Sequence, residues 1–199
     1  MQGKIEEKDV THVSKNSTLA LVQSALLVAF LALGAQVTVA LGPVPFTLQT
    51  IFVALIALLF PPKQAALTVL IYLLMGAFGL PVFAGAKGGL ASLMGPTGGF
   101  LWGFVLAASL GSLARLALAS AHTKSLRAKP MAGDILAVII VMIVSYACGL
   151  IQLMYVGNMG FVAAFGLAVL PFIVLDALKS AVAIVIAMAL RKALVSMEL

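Results

Sequence analysis

Charge is what this chain has least of. Only 9% of its 199 residues are Asp, Glu, Lys or Arg, against 63% hydrophobic. A soluble domain needs far more polar surface to cover its core, so soluble enzymes and soluble binding modules are excluded as classes. Cysteine is almost absent. Cys148 stands alone inside an apolar run, forms no internal disulfide and is expected to pack as a small apolar residue. The two histidines, His12 and His122, both fall in polar segments. With no His/Cys cluster and no nucleophile beside a base, neither a metal, a cofactor nor a catalytic residue is expected. No glycine-rich segment ends in the Gly-Lys-Ser/Thr that grips a nucleotide's phosphates. Uphill transport, if the chain performs it, must therefore draw energy from another chain. A signal peptide is not expected either, because the first apolar run is long and lacks a small-residue cleavage site.

What is present is apolar sequence in bilayer-sized pieces. Mean hydropathy is +1.22, and a bilayer core demands roughly 20 apolar residues of a helix. Six apolar stretches are the candidate spans, the second of them short: 18–41, 48–60, 64–80, 99–121, 135–155 and 171–194. Pro61 and Pro62 break the short second stretch from the third. The expected architecture is an all-α integral membrane protein of six transmembrane helices, with a polar tail at 1–17 and a single domain at 18–199.

Six crossings sort the positive charge. The tail, the turn at 61–63, the loop at 122–134 and the C-terminus then share a side that holds Lys4, Lys8, Lys15, Lys63, Lys124, Arg127, Lys129, Arg191 and Lys192, with Arg115 near it. The other side holds only Lys87. The excess of Lys and Arg on cytoplasmic loops places both termini in the cytoplasm. This sorting accounts for a pI near 9.7. Nucleic acid is not expected as a partner, because no basic surface is interleaved with aromatics. The loops opposite are apolar and dense in Gly and Pro, as at 42–47 and 81–98. Such loops are expected to fold back over the bundle and cap a ligand pocket.

Asp176 and Lys179 lie within the last stretch, and a charge in mid-bilayer costs on the order of 2.5–3.5 kcal/mol. Their i, i+3 spacing puts them on one helical face. Three readings are open: a self-satisfied ion pair, a proton relay, or a binding pair for a ligand entering from outside. Neutral polar residues fall at the same level: Thr47, Gln49, Thr97, Gln152, Tyr155 and Asn158. Together they suggest a pocket with few convergent polar groups and apolar walls. Phe46, Phe83, Phe100 and Trp102 are candidate walls. Ala25 and Ala29 in the first stretch would let another helix approach closely.

Four strings carry a resemblance: Pro43-Val44-Pro45-Phe46-Thr47-Leu48-Gln49-Thr50, Gly79-Leu80-Pro81-Val82-Phe83-Ala84-Gly85, Gly95-Pro96-Thr97-Gly98-Gly99-Phe100, and Asp176-Ala177-Leu178-Lys179. With them the chain resembles the BioY family, the biotin-specific S components of energy-coupling factor (ECF) vitamin transporters. The resemblance implies a high-affinity biotin-binding subunit in a prokaryotic cell membrane. It also implies a shared membrane T component and two cytoplasmic ATPases as partners, with Ala25 and Ala29 facing the T component. Phe83 and Gly85 join Asp176, Lys179, Gln49, Thr47, Thr97, Gln152, Tyr155 and Asn158 as expected substrate contacts. Biotin offers a ureido ring with two N–H donors and one acceptor, an apolar thiophane and a carboxylate tail. Asp176 could accept from the ureido, while Lys179 could pair with the carboxylate or donate to the ureido oxygen. A stand-alone proton-coupled transporter, or an S component for another carboxylate vitamin, is the alternative.

Overall fold

A computed structural model describes residues 3–40, 42–121 and 130–197. His122, Lys124, Arg127 and Lys129 lie outside the described residues, as do the side chains of Lys4, Lys8, His12 and Lys15. The elements are α1 (Gly3–Gln36), β1 (Thr38–Ala40), β2 (Pro45–Thr47), α2 (Gln49–Leu59), α3 (Pro62–Ala77), α4 (Leu90–Met94), α5 (Gly98–Ala121), α6 (Pro130–Gly157), α7 (Phe161–Ala168) and α8 (Ile173–Met197).

Among the described residues, four helices are long and apolar enough to cross a membrane, through windows at Thr18–Gln36, Gly98–Ser120, Met131–Gly157 and Ile173–Ala193. Their outward faces expose Leu21, Leu33, Leu106, Ile139, Ile143 and Val185, the surface that lipid rather than water solvates. The protein is a multi-pass membrane protein. Helices α2 and α3 are shorter, at 11 and 16 residues. At about 1.5 Å per residue, α2 rises only about 16 Å, roughly half of a hydrocarbon core about 30 Å thick. Val53, Ala54, Leu55, Ile56, Ala57 and Leu58 bury every face of it. It is therefore a central post that stops partway, and the space beyond its N-terminus is where a cavity can open.

The first stretch does not continue as helix to 41. It ends at Gln36, and Thr38–Ala40 pairs antiparallel with Pro45–Thr47, in the register Thr38↔Thr47 and Val39↔Phe46. The β-branched run Val37-Thr38-Val39 favours that pairing. Pro43 and Pro45 would break a continuing helix in any case. The connections at 81–98 and 156–170 are not bare loops, since each carries a short helix, α4 and α7.

α5 and α6 pack through a stripe of small residues, Gly99, Gly103, Ala107 and Gly111. A Cβ at Gly99 would strike the Cys148 carbonyl, one at Gly103 the Cys148 side chain, and one at Gly111 Val141. Small residues four apart let the two backbones close together. That seam was not the small-residue pattern picked out in the sequence, which fell in α1 at Ala25 and Ala29.

The largest correction lies at the start of α6. Expected at 135, the helix begins at Pro130, whose fixed φ suits the first helical turn. Asp134, expected in a polar loop, is thereby fully buried. Its Oδ1 accepts from Arg115 Nε at 2.8 Å and from Arg191 Nη2 at 3.0 Å, and Arg191 Nη2 also reaches Oδ2 at 3.0 Å. Asp176 and Lys179 are thus not the only ionisable residues inside the spans.

Candidate functional site

A cavity of about 390 Å³ opens beyond the N-terminus of α2. Its walls come from the β2 hairpin (Pro43 to Thr47), the 83–87 turn, the α4 segment to Thr97, and helices α5, α6 and α8. It is of a size and make-up suited to a small molecule, apolar with a few convergent polar groups. Phe46, Phe83, Phe100, Phe104 and Phe172 supply the apolar lining.

The polar groups converge on one carboxylate. Asp176, 7% exposed, forms an ion pair with Lys179, 8% exposed, at 2.5 Å. The same Oδ1 accepts from Thr50 Oγ1 at 3.1 Å, and Oδ2 accepts from the Tyr146 hydroxyl at 2.5 Å. Thr50 stands in the first turn of α2, so the positive end of that helix dipole also faces the carboxylate. The Lys179 ammonium donates to the Thr47 carbonyl at 2.8 Å and sits 4.1 Å from the Phe46 ring centroid. A buried charge pair is tolerable in a membrane only when its remaining hydrogen-bonding capacity is met like this. The two side chains therefore satisfy each other and also border a hollow, which joins two readings that the sequence left as alternatives.

Of the residues expected at the site, Thr47, Gln49, Phe83, Thr97, Asp176 and Lys179 all line the cavity. Four do not. Gly85 turns the 83–87 segment at φ +70° without lining the cavity. Gln152 spends its amide on the Leu93 and Gly95 carbonyls at 2.8 and 2.7 Å, fastening α4 to α6 from behind. Tyr155 is 88% exposed, and Asn158 is exposed at φ +47° where α6 has ended. Both lie beyond the cavity because α6 runs on to Gly157 and carries them past its rim. Trp102, a candidate wall, is half-exposed on the lipid-facing side of α5.

Several contributors were not expected, among them Thr50, Phe104 and Phe172 described above. Tyr146 is a direct partner of Asp176. Lys87 lines the cavity and is exposed, with no side-chain partner among the described residues. Ser145, which also lines the cavity, has a buried hydroxyl without a hydrogen-bond partner among the described residues. The signal for Ser145 and Tyr146 was a polar pair inside an otherwise apolar stretch. Lys87 was visible as the lone cation on its side.

A model of the BioY family matches residues 6–196. The chain belongs to the BioY family. Similar members include the "Probable biotin transporter BioY" of Pyrococcus horikoshii, 41% identical over 82% of this chain and 90% of that protein. The "Biotin transporter BioY" of Thermotoga maritima is 39% identical over 86% of this chain and 95% of that one. Among solved structures, a crystal structure of the S-component for biotin from an ECF-type ABC transporter superposes with a TM-score of 0.80. It is 26% identical and covers 89% of this chain and 93% of its own. The BioY resemblance read from the four strings thus holds for almost the whole chain.

Proposed function

We propose that this chain is the biotin-binding S component of an ECF-type importer, crossing a prokaryotic cell membrane six times with both termini in the cytoplasm. The second crossing is completed beyond the N-terminus of the short α2 by the β2 segment. The observation that carries this reading is a fully bonded acid–base pair bordering a small-molecule cavity in a BioY-family chain. The unequal burial of the two lysines supports an orientation for biotin. Lys179 is buried and already matched by Asp176, whereas Lys87 is exposed and lacks a side-chain partner among the described residues. A free carboxylate gains most at an unmatched cation. The ureido ring therefore lies at the Asp176–Lys179–Tyr146 end and the carboxylate tail at Lys87. The thiophane rests between the phenylalanine walls.

Calorimetry on the detergent-purified chain tests this reading. Biotin is expected to bind tightly, and Lys87→Ala to weaken it about tenfold, the ~1.4 kcal/mol of one exposed charge-assisted bond. Biotin methyl ester is expected to bind both proteins alike. Equal losses for acid and ester would refute the orientation, and no binding to the unaltered chain would refute the function.

The partners follow from the same reading. Ala25 and Ala29 are exposed along α1, a face on which the helix of a T component could seat closely. Ala25→Trp with Ala29→Trp is expected to abolish co-purification with the T component and its two ATPases. Biotin binding should change by less than about twofold, because no residue of α1 lines the cavity. Retained co-purification would move the docking face elsewhere.

A further inference from the structure

Beneath the cavity runs a chain of hydrogen bonds that the binding scheme above does not use. The Thr47 hydroxyl donates to Gln49 Oε1 at 3.1 Å. Gln49 Nε2 donates to the Tyr72 hydroxyl at 2.7 Å, and that hydroxyl donates to the Val82 carbonyl at 2.9 Å. Each hydroxyl or amide gives and receives in one consistent direction, and Thr47, Gln49 and Tyr72 are all buried. Tyr72 is wholly inaccessible and does not line the cavity.

The two ends of this chain are both functional positions. At one end, Thr47 holds the Lys179 ammonium through its carbonyl. At the other end, Val82 opens the 81–87 segment, in which the Phe83 N–H donates to the Lys87 carbonyl at 2.9 Å and closes the turn. The ring of Tyr72 also meets Phe83 edge-on, at 5.4 Å between centroids, and Gly76 leaves the room that the Phe83 ring fills. One side chain thus sets both the Phe83 wall and the backbone that presents Lys87.

We propose that Tyr72 is a positioning residue for the substrate, its hydroxyl registering the Lys87 end of the cavity against the Lys179 end. A ligand that must reach both lysines gains from a spacing fixed in advance, because ordering the segment then costs nothing at the moment of binding. The inference rests on the biotin reading above. A second set of contacts keeps the segment folded against α1 when Tyr72 is altered, but it has no link to Thr47, so the register to the Lys179 end rests on Tyr72. The Gln36 amide donates to the Pro81 and Phe83 carbonyls at 3.3 and 3.4 Å and accepts the Ala86 N–H at 3.0 Å.

The test is a double-mutant cycle between Tyr72→Phe and Lys87→Ala, read by biotin calorimetry on the purified full chain. Tyr72→Phe is expected to weaken biotin about tenfold, since it leaves the Gln49 amide and the Val82 carbonyl unpaired. In the Lys87→Ala background the same substitution should cost less than about threefold, because nothing remains there to be positioned. Biotin methyl ester should likewise show the smaller loss. Unchanged affinity, or an equal loss with and without Lys87, overturns the proposal. Should Tyr72→Phe fail to yield folded protein, Gln49→Met cuts the same chain one bond earlier. The same coupling to Lys87 is then expected, and its absence is equally decisive. Failure of the unaltered chain to bind biotin would instead strike the reading on which the proposal rests.

Discussion

Asp176→Asn is expected to weaken biotin binding at least about 100-fold, or about 2.7 kcal/mol. Three donors meet at this carboxylate: Thr50, Tyr146 and Lys179. Hydrogen bonds to charged groups are worth about 1.5–3 kcal/mol each, and the substituted amide can accept at only one of its two positions. It also leaves the Lys179 ammonium with the Thr47 carbonyl and the Phe46 ring but no counter-charge. Melting should therefore fall along with affinity, and a single substitution cannot separate the two. The pair Asp176→Asn with Lys179→Met separates them. Removing both charges relieves the uncompensated ion, so thermal stability should recover most of its loss. Binding should not recover, because the ureido group has lost its charged acceptor and its charged donor together. A double variant that binds biotin as the unaltered chain does would remove the pair from the site and leave it as interior packing.

How much of this was legible in the sequence varies with the kind of signal. Spans were legible where apolar length alone decides, as in the windows of α1, α5, α6 and α8. Their ends were not, because each end is set by a partner distant in the chain. Gln36 stops α1 where Thr38 finds Thr47, and Pro130 starts α6 where Asp134 finds two arginines. Asp176 and Lys179 stood out because charge in an apolar stretch is expensive. Thr47, Gln49 and Thr97 stood out by level and Phe83 as an aromatic wall, and all four also sit in the strings that carry the family resemblance. Tyr155 and Asn158 were assigned by level in the membrane alone. Level cannot say which way a helix face turns or where a helix stops: α6 turns Tyr155 outward, and Asn158 falls just past its end. The converse failure is Tyr146, which shares α6 with Tyr155 and faces inward. The close packing of α6 on α5 at Gly99, Gly103 and Gly111 helps fix that rotation.

The same rotation of α6 carries the largest expected stability effect. Asp134 is wholly buried and lies between Arg115 of α5 and Arg191 of α8, so one carboxylate ties three helices. The arginines are partly exposed, at 22% and 25% of their side chains, so part of their charge is solvated without it. The loss on Asp134→Ala is thus expected at the lower end of what breaking a buried pair costs, about 3 kcal/mol. It should read as a clear drop in the thermal unfolding midpoint of the detergent-purified chain. Biotin affinity, measured well below that midpoint, should stay within about threefold of the unaltered value, because neither Asp134 nor its partners line the cavity. Arg191→Met with Asp134→Leu and Arg115→Met, which replaces all three charges by apolar groups, should restore most of the stability. A triple variant no more stable than Asp134→Ala would mean that the cluster, rather than the packing around it, holds α5, α6 and α8 together. An Asp134→Ala protein that melts with the unaltered chain would mean that the carboxylate contributes nothing to that junction.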